Sequence, residues 1–276
     1  MDRLSGLFSR IAPTARVFYA GTLCQVSSMD DTEGFGHLHL LRSGELLISD
    51  GTDGPGRITE PSVIFSPRPQ AHSLTPVHAA GVDLVCATVD LGSGVRNPFI
   101  DALPALIVVP IVEAPLLADR IEWLFDEAAS QQCGREAALN ALTEYVLILL
   151  LRHGMDSMNI SGCILAGLAD ERLSRAISAI HEHPEQPWTL ESLAGIATMS
   201  RARFAHNFRE AVGTTPLDYL TDWRLSVART LLRTGAPIAA VAAQVGYQNH
   251  TAFSRTFSRR TGQTPREWLL GDRAGA

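Results

Sequence analysis

Read for the spacing of its apolar residues, the chain changes character along its length. Leu4, Leu7, Phe8 and Ile11 have helical spacing within residues 1–12. From Arg16 to about Leu91 the apolar residues come in short runs, at Val17–Tyr19, Phe35–Leu41, Glu45–Ile48, Ser62–Phe65 and Val82–Val89. Turn-forming residues separate them, at Arg42–Gly44, Asp50–Gly56 and Pro67–Pro69. Such runs predict strands, and several in succession predict an antiparallel sandwich or barrel. From Pro115 to Arg152 the period turns helical. One stripe is Leu116, Ile121, Leu124 and Phe125; another is Ala138, Leu142, Tyr145, Val146, Leu149 and Leu150. Two roles are open for these helices: covering the sheet of their own domain, or forming a two-helix dimerisation face. Residues 153–169 begin without periodicity and read as a linker.

Beyond the linker one pattern occurs twice. Phe204-Ala-His-Asn-Phe208 is followed after four residues by Gly213-Thr-Thr-Pro216, and Phe253-Ser-Arg-Thr-Phe257 after four residues by Gly262-Gln-Thr-Pro265. Phe at i and i+4 share a helical face, the Gly suits a C-terminal cap, and the Pro opens the next helix. A shorter apolar helix precedes each copy, carrying Leu190, Leu193, Ala194 and Ala197 in one case and Ile238, Val241, Ala242 and Val245 in the other. Ser200 and Asn249 are placed to cap the second helix of each pair. Short helix, tight turn, second helix is the helix-turn-helix plan, in which the second helix enters the major groove. The spacer from Pro216 to about Thr234 predicts one helix, with Leu217, Leu220, Trp223 or Arg224, Val227 and Leu231 inward. Some 18 residues span roughly 27 Å. That length suits two reading helices placed in successive grooves of one DNA face, about 34 Å apart.

Residues 170–271 resemble the DNA-binding domain of AraC/XylS-type transcription regulators, and the run Gly246–Pro265 is close to that family's signature. The resemblance implies seven helices, two helix-turn-helix units and a long connecting helix. Residues His39-Leu-Leu-Arg-Ser-Gly44 and Ser66-Pro-Arg-Pro-Gln-Ala-His72 resemble the cupin-type sensor domain that precedes this DNA-binding domain in many such regulators. The expected architecture is two-domain: an antiparallel β cupin-like barrel with flanking helices at 1–153, a linker at 154–169, and an all-α DNA-binding domain at 170–276.

Charge supports this division. The formal net charge is −6, yet every basic residue apart from histidine is Arg, and their excess lies at the C-terminal end. Residues 170–276 carry 13 Arg against 10 Asp and Glu, a balance of +3, which leaves −9 for residues 1–169. An acidic whole is a poor DNA binder, and a basic excess where the reading helices lie suits phosphate contact. No apolar run approaches the ~20 residues of a membrane span. The start of the chain lacks the apolar core of a signal peptide. The expected location is the cytoplasm, where structural disulfides are rare.

On the first reading helix the expected DNA-facing residues are Arg201, Ala202, Arg203, Ala205, His206 and Arg209. The two alanines offer only contact with a thymine methyl. On the second they are Asn249, His250, Thr251, Ser254 and Arg255, with Arg255 suited to bidentate contact with guanine. Arg259 and Arg260 are expected to meet phosphate or solvent. Duplex DNA is the expected partner, in a homodimeric regulator, with RNA polymerase a second partner if it activates.

The chemistry-bearing residues of the first domain are Cys24, His37, His39, His72 and Cys86. Thiolate and imidazole together suit Zn²⁺ or Cu⁺, with Cys24, His39, His72 and Cys86 as the candidate ligand set. A Cys within Leu-Val-Cys-Ala-Thr-Val is ordinarily a small buried residue. Cys133 and Cys163 look incidental. The order of these motifs resembles the cupin-bearing AraC regulators related to the reactive-chlorine sensor RclR. That resemblance implies a redox centre at Cys24 and Cys86. Two other readings stay open: a small organic effector bound in the barrel, and a metal-dependent cupin enzyme using His37, His39 and His72.

Overall fold

The computed structural model describes residues 3–4, 7–8, 13–30, 34–49, 56–91, 98–101, 103–157 and 164–274. They form two compact units. One comprises Pro13–Ser93 and Pro104–Ser157, the other Met158–Ala276 together with Met1–Ala12 and Gly94–Leu103.

The first unit holds nine strands among its described residues: β1 (Thr14–Leu23), β2 (Ser27–Met29), β3 (Gly36–Ser43), β4 (Leu46–Ser49), β5 (Gly56–Ile58), β6 (Ser62–Ser66), β7 (His72–Pro76), β8 (Val82–Asp90) and β9 (Ile107–Pro110). They make a five-stranded sheet ordered β1-β8-β3-β6-β9 and a four-stranded sheet ordered β2-β7-β4-β5. Neighbours pair antiparallel throughout. The predicted runs at Val17, Phe35, Glu45, Ser62 and Val82 all fall in strands. β7 escapes the pattern because His-Ser-Leu-Thr-Pro holds no run of apolar residues. Leu41, Leu46, Ile48, Ile58, Ile64, Leu74, Val82, Leu84 and Cys86 form a buried core cluster.

Between β8 and β9 the chain forms a short helix, α1 (Pro98–Asp101), within the other unit. After β9 come α2 (Pro115–Ala129) and α3 (Arg135–Ser157), which pack on each other, and α3 lies along β1. The amides of Val17 and Ala15 donate to Asn140 Oδ1 at 2.9 Å and Glu144 Oε1 at 3.2 Å. These side chains satisfy an edge strand that would otherwise offer free donors. Sheet covering is therefore a role these helices perform. Leu116 corrects the predicted stripe, being 75% exposed. Ile121 and Leu124 set the phase, and Leu117, four before Ile121, takes the inward position.

The second unit contains α4 (Ile164–Ala169) and then seven helices: α5 (Glu171–Glu182), α6 (Leu190–Ile196), α7 (Arg201–Val212), α8 (Pro216–Arg233), α9 (Ile238–Gln244), α10 (His250–Thr261) and α11 (Pro265–Ala274). The expected linker at 154–169 is thus partly regular structure. α3 runs to Ser157, and α4 buries Ile164, Leu165 and Leu168 against α5 and α7. At the chain start, Leu4 and Leu7 are buried and Arg3 donates to the Leu168 carbonyl at 2.8 Å; Ile11 lies outside the described residues.

α8 is the platform of this unit, with Tyr219, Leu220, Trp223, Val227 and Leu232 buried along it. Leu217 departs from expectation at 43% exposure, because Pro216 and Tyr219 take the inward positions of the first turn. In the core beneath, His181 and the Tyr219 hydroxyl share a hydrogen bond of 2.7 Å, and the His181 ring lies 4.4 Å from Trp223. Burial lowers the His181 pKa to about 3, so the ring is neutral.

Candidate DNA-reading surface and thiol sites

Each reading helix is built by the same local devices. Ser200 and Asn249 cap α7 and α10, accepting from the amides of Arg203 and Ala252. Gly213 and Gly262 end them in the left-handed conformation, at φ 84° and 79°. Pro216 and Pro265 then open α8 and α11. Phe204, Phe208, Phe253 and Phe257 are fully buried, pairing edge to face at 5.7 Å in the first copy and 5.6 Å in the second. This anchoring fixes which side of each helix meets solvent.

On α7 that outer side presents Arg201, Ala202, Arg203, His206 and Arg209, with Ala205 half-buried. On and just before α10 it presents Asn249, His250, Thr251, Arg255 and Arg259, with Ser254 half-buried. The Asn249 side-chain oxygen is engaged with the Ala252 amide at 2.8 Å. Ala252, exposed where the first copy has Arg203, was not among the expected residues.

Four other arginines of the unit are engaged within the protein. Arg224 donates to the carbonyls of Pro184 at 2.6 Å and Gln186 at 2.7 Å. Arg229 and Arg233 lie 5.5 Å from the rings of Phe257 and Trp268. Arg260, expected to meet phosphate or solvent, instead pairs with Asp218 and Asp222. The sequence signal was two carboxylates four residues apart on one helix. The cations left facing outward on the two reading helices are Arg201, Arg203, Arg209, Arg255 and Arg259.

In the first unit the histidines converge and the cysteines do not. His39 on β3 and His72 on β7 meet across the two sheets, Nε2 to Nε2 at 2.8 Å. His72 Nδ1–H donates to the Gln70 carbonyl at 2.8 Å. That fixes its tautomer and leaves His72 Nε2 to accept from His39. The His37 ring stacks parallel to His39 at 6.1 Å and lies 5.0 Å from His72. Burial, reinforced by His72, lowers the His37 pKa to about 4. Burial and the neighbouring imidazoles hold His39 well below the usual histidine value.

Cys86 pairs in register with His39 on one side and Tyr19 on the other. It is 1% exposed, and burial pushes its pKa up to about 12. Cys24 is exposed and lies against the turn that opens β8. Its Sγ sits 2.9 Å from where a Cβ on Gly81 would stand. Five residues of extended chain, roughly 16 Å, separate Gly81 from Cys86. A disulfide needs Cα atoms within about 7 Å.

The candidate ligand set Cys24, His39, His72 and Cys86 is therefore not assembled. Among the described residues no group of three or more His, Cys, Asp or Glu side chains is arranged to hold a metal ion. His39 and His72 bond directly to each other, closer than the roughly 3.3 Å between two nitrogens on a tetrahedral zinc. The residues thus do not fit Zn²⁺ or Cu⁺, and the three imidazoles do not form the metal site a cupin enzyme would need. Cys133 is exposed between α2 and α3, and Cys163 lies outside the described residues.

Known proteins match both units. The family described as "Cupin" matches residues 2–156, and the family described as "Helix-turn-helix domain" matches residues 193–270. The RCS-specific HTH-type transcriptional activator RclR of Escherichia coli (strain K12) is 32% identical over 283 residues, which is 97% of each chain. The HTH-type transcriptional regulator AlkR of Acinetobacter baylyi is 36% identical over 188 residues, 65% of this chain and 60% of that one. Among solved structures, the DNA-binding domain of AdpA in complex with a target DNA is 31% identical, covering 38% of this chain and 95% of that one, with a TM-score of 0.36. Among the described residues no helix is long and apolar enough to cross a membrane. The chain belongs to the AraC-type DNA-binding transcriptional regulators that carry an N-terminal cupin domain.

Proposed function

We propose that this regulator is an oxidant-responsive activator, read out by two helices and switched first at Cys24. The observation that carries the switch is the contrast between the two thiols. Cys24 is exposed, whereas Cys86 is buried and held protonated. The thiolate is the reactive form, so oxidant reaches and attacks Cys24 before Cys86. With hypochlorous acid the step is RS⁻ + HOCl → RSOH + Cl⁻. The sulfur loses two electrons, the chlorine gains them, and the oxygen ends on sulfur. The likeness to an activator that is RCS-specific supports this choice of oxidant.

The product stands beside Gly81, the residue that leads into β8 and hence towards Cys86 and the histidines. Cys86 takes part only when β8 or β1 leaves its register. The core cluster between the strands supports this reading over a small organic effector held in the barrel, since apolar side chains occupy that space.

On the DNA side, α7 and α10 enter successive major grooves of duplex DNA. Arg255 reads guanine, Ala202 and Ala205 meet thymine methyl groups at most, and Arg201, Arg203, Arg209 and Arg259 hold phosphate. His206, His250, Thr251 and Ser254 complete the facing surface. The protein acts in the cytoplasm as a homodimer through α2 and α3, whose Leu116, Trp123 and Tyr145 are 75%, 55% and 40% exposed. As an activator it engages RNA polymerase.

Two measurements test the switch. Brief alkylation of the native reduced protein followed by mass spectrometry should label Cys24 fully and leave Cys86 unlabelled until the chain is unfolded. In a reporter strain, Cys24→Ser should abolish the response to hypochlorous acid. A Cys24→Ser protein that keeps the full response would refute the switch.

A further inference from the structure

A charged cluster lies on α8. Arg260, near the end of the second reading helix, pairs with Asp218 and lies 3.5 Å from Asp222. Asp218 is itself fixed, accepting from the Thr215 hydroxyl at 2.7 Å. Arg229 is buried beside them on α8. A cavity of about 80 Å³ is lined by Asp222, Arg229, Arg260, Leu225 and one residue from far away in sequence, Asp101. Asp101 ends α1, which packs on α8 and is anchored by the fully buried Phe99.

Two comparisons give the cluster its meaning. The repeat offset of 49 places Ala211 where the second copy has Arg260, so the first reading helix has no such tie. α1 is also unlike its unit-mates in connectivity: it belongs to the DNA-binding unit by contact, yet the chain on either side of it runs into strands β8 and β9.

We propose that this cluster is a positioning device, in which Arg260 fixes where α10 lies on α8 and Asp101 ties α1 into that placement. Asp101 and Asp222 line one cavity with Arg229 and Arg260, and Asp218 pairs with Arg260. Asp222 registers all of them: burial raises its pKa, Arg260 and Arg229 lower it, and Asp218 and Asp101 raise it further. Removing Asp101 redistributes the pairing of Arg260 and Arg229, and with it the seat of the second reading helix. The proposal rests on the reading that α7 and α10 bind together on one duplex.

The test uses the full-length reduced protein and a binding site selected from genomic upstream fragments. Affinity is compared on the selected site, on the site with one base pair inserted between its halves, and on the half-site read by α10. For the unaltered protein the insertion should weaken binding. In Arg260→Ala and Asp101→Asn this penalty should shrink by between about threefold and tenfold, with half-site affinity unchanged. Asp101→Glu, which keeps the charge, should restore the penalty. If the insertion costs the unaltered protein nothing, the two-helix reading and this proposal both fall. If it does, but either variant keeps the full penalty or loses half-site binding equally, this proposal alone is overturned.

Discussion

The two helix-turn-helix copies have the same skeleton and different surfaces. Both carry a buried Phe pair, a polar cap, a left-handed glycine and a following proline. Outside that skeleton they diverge. The first copy shows Ala202 and Ala205 where the second shows Thr251 and Ser254, and His206 where the second shows Arg255. The turns differ as well. Thr198 occupies the left-handed region at φ 51° in the first copy, whereas Gly246 does so at φ 81° in the second. The supports differ too: the first copy leans on a neutral His181–Tyr219–Trp223 cluster, the second on Arg229 under Phe257 and on the Arg260 pairs. A repeated fold fixes where side chains point, and leaves which side chains stand there to vary.

The shared skeleton implies equal and large costs. Phe204→Ala and Phe253→Ala should each destabilise the chain by about 3–5 kcal/mol in denaturant unfolding. A cost for one copy at less than half that of the other would break the symmetry.

The supports predict an acid asymmetry. His181 is neutral when folded, with a pKa of about 3, against about 6.5 when unfolded. Below pH 6.5 the unfolded chain binds a proton that the folded one excludes, so stability is full above that value and falls as pH drops towards 3. At pH 5 this site alone should cost about 2 kcal/mol. Hydrogen exchange should show the first copy opening before the second, and His181→Gln should remove the difference. The buried His37 and His39 add a loss of the same sign in the other unit.

The surfaces imply unequal reading. Arg255→Ala should lose about 1–3 kcal/mol of affinity at its cognate site and little on random DNA. His206→Ala should lose less than Arg255→Ala. Equal loss on both DNAs for Arg255 would make it a phosphate contact. The smallest effect belongs to the turn: Thr198→Gly relieves a strained residue and should change stability by less than about 1 kcal/mol, seen as a small shift in Tm.

How much of this was readable in the sequence depends on range. The caps at Ser200 and Asn249, the Phe pairs and the bounds of α8 are set by neighbours within a few residues, and periodicity revealed them. The strands from Val17 to Val89 announced themselves by short apolar runs between turns. His37, His39 and His72 were legible as candidate ligands, but their meeting depends on how two sheets stack. The distance between Cys24 and Cys86 depends on the register of β1 against β8, which no local pattern encodes. The placement of Asp101 on α8 was equally out of reach, because it joins residues brought together by tertiary packing alone.

The most direct test of the central claim is a gel-shift titration at fixed salt, using upstream genomic fragments with reduced and with hypochlorous-acid-treated protein. The account predicts a specific affinity that changes on treatment, does not change in Cys24→Ser, and still changes at least in part in Cys86→Ser. Specific binding that is indifferent to the oxidant, or a full change that survives in Cys24→Ser, would contradict it.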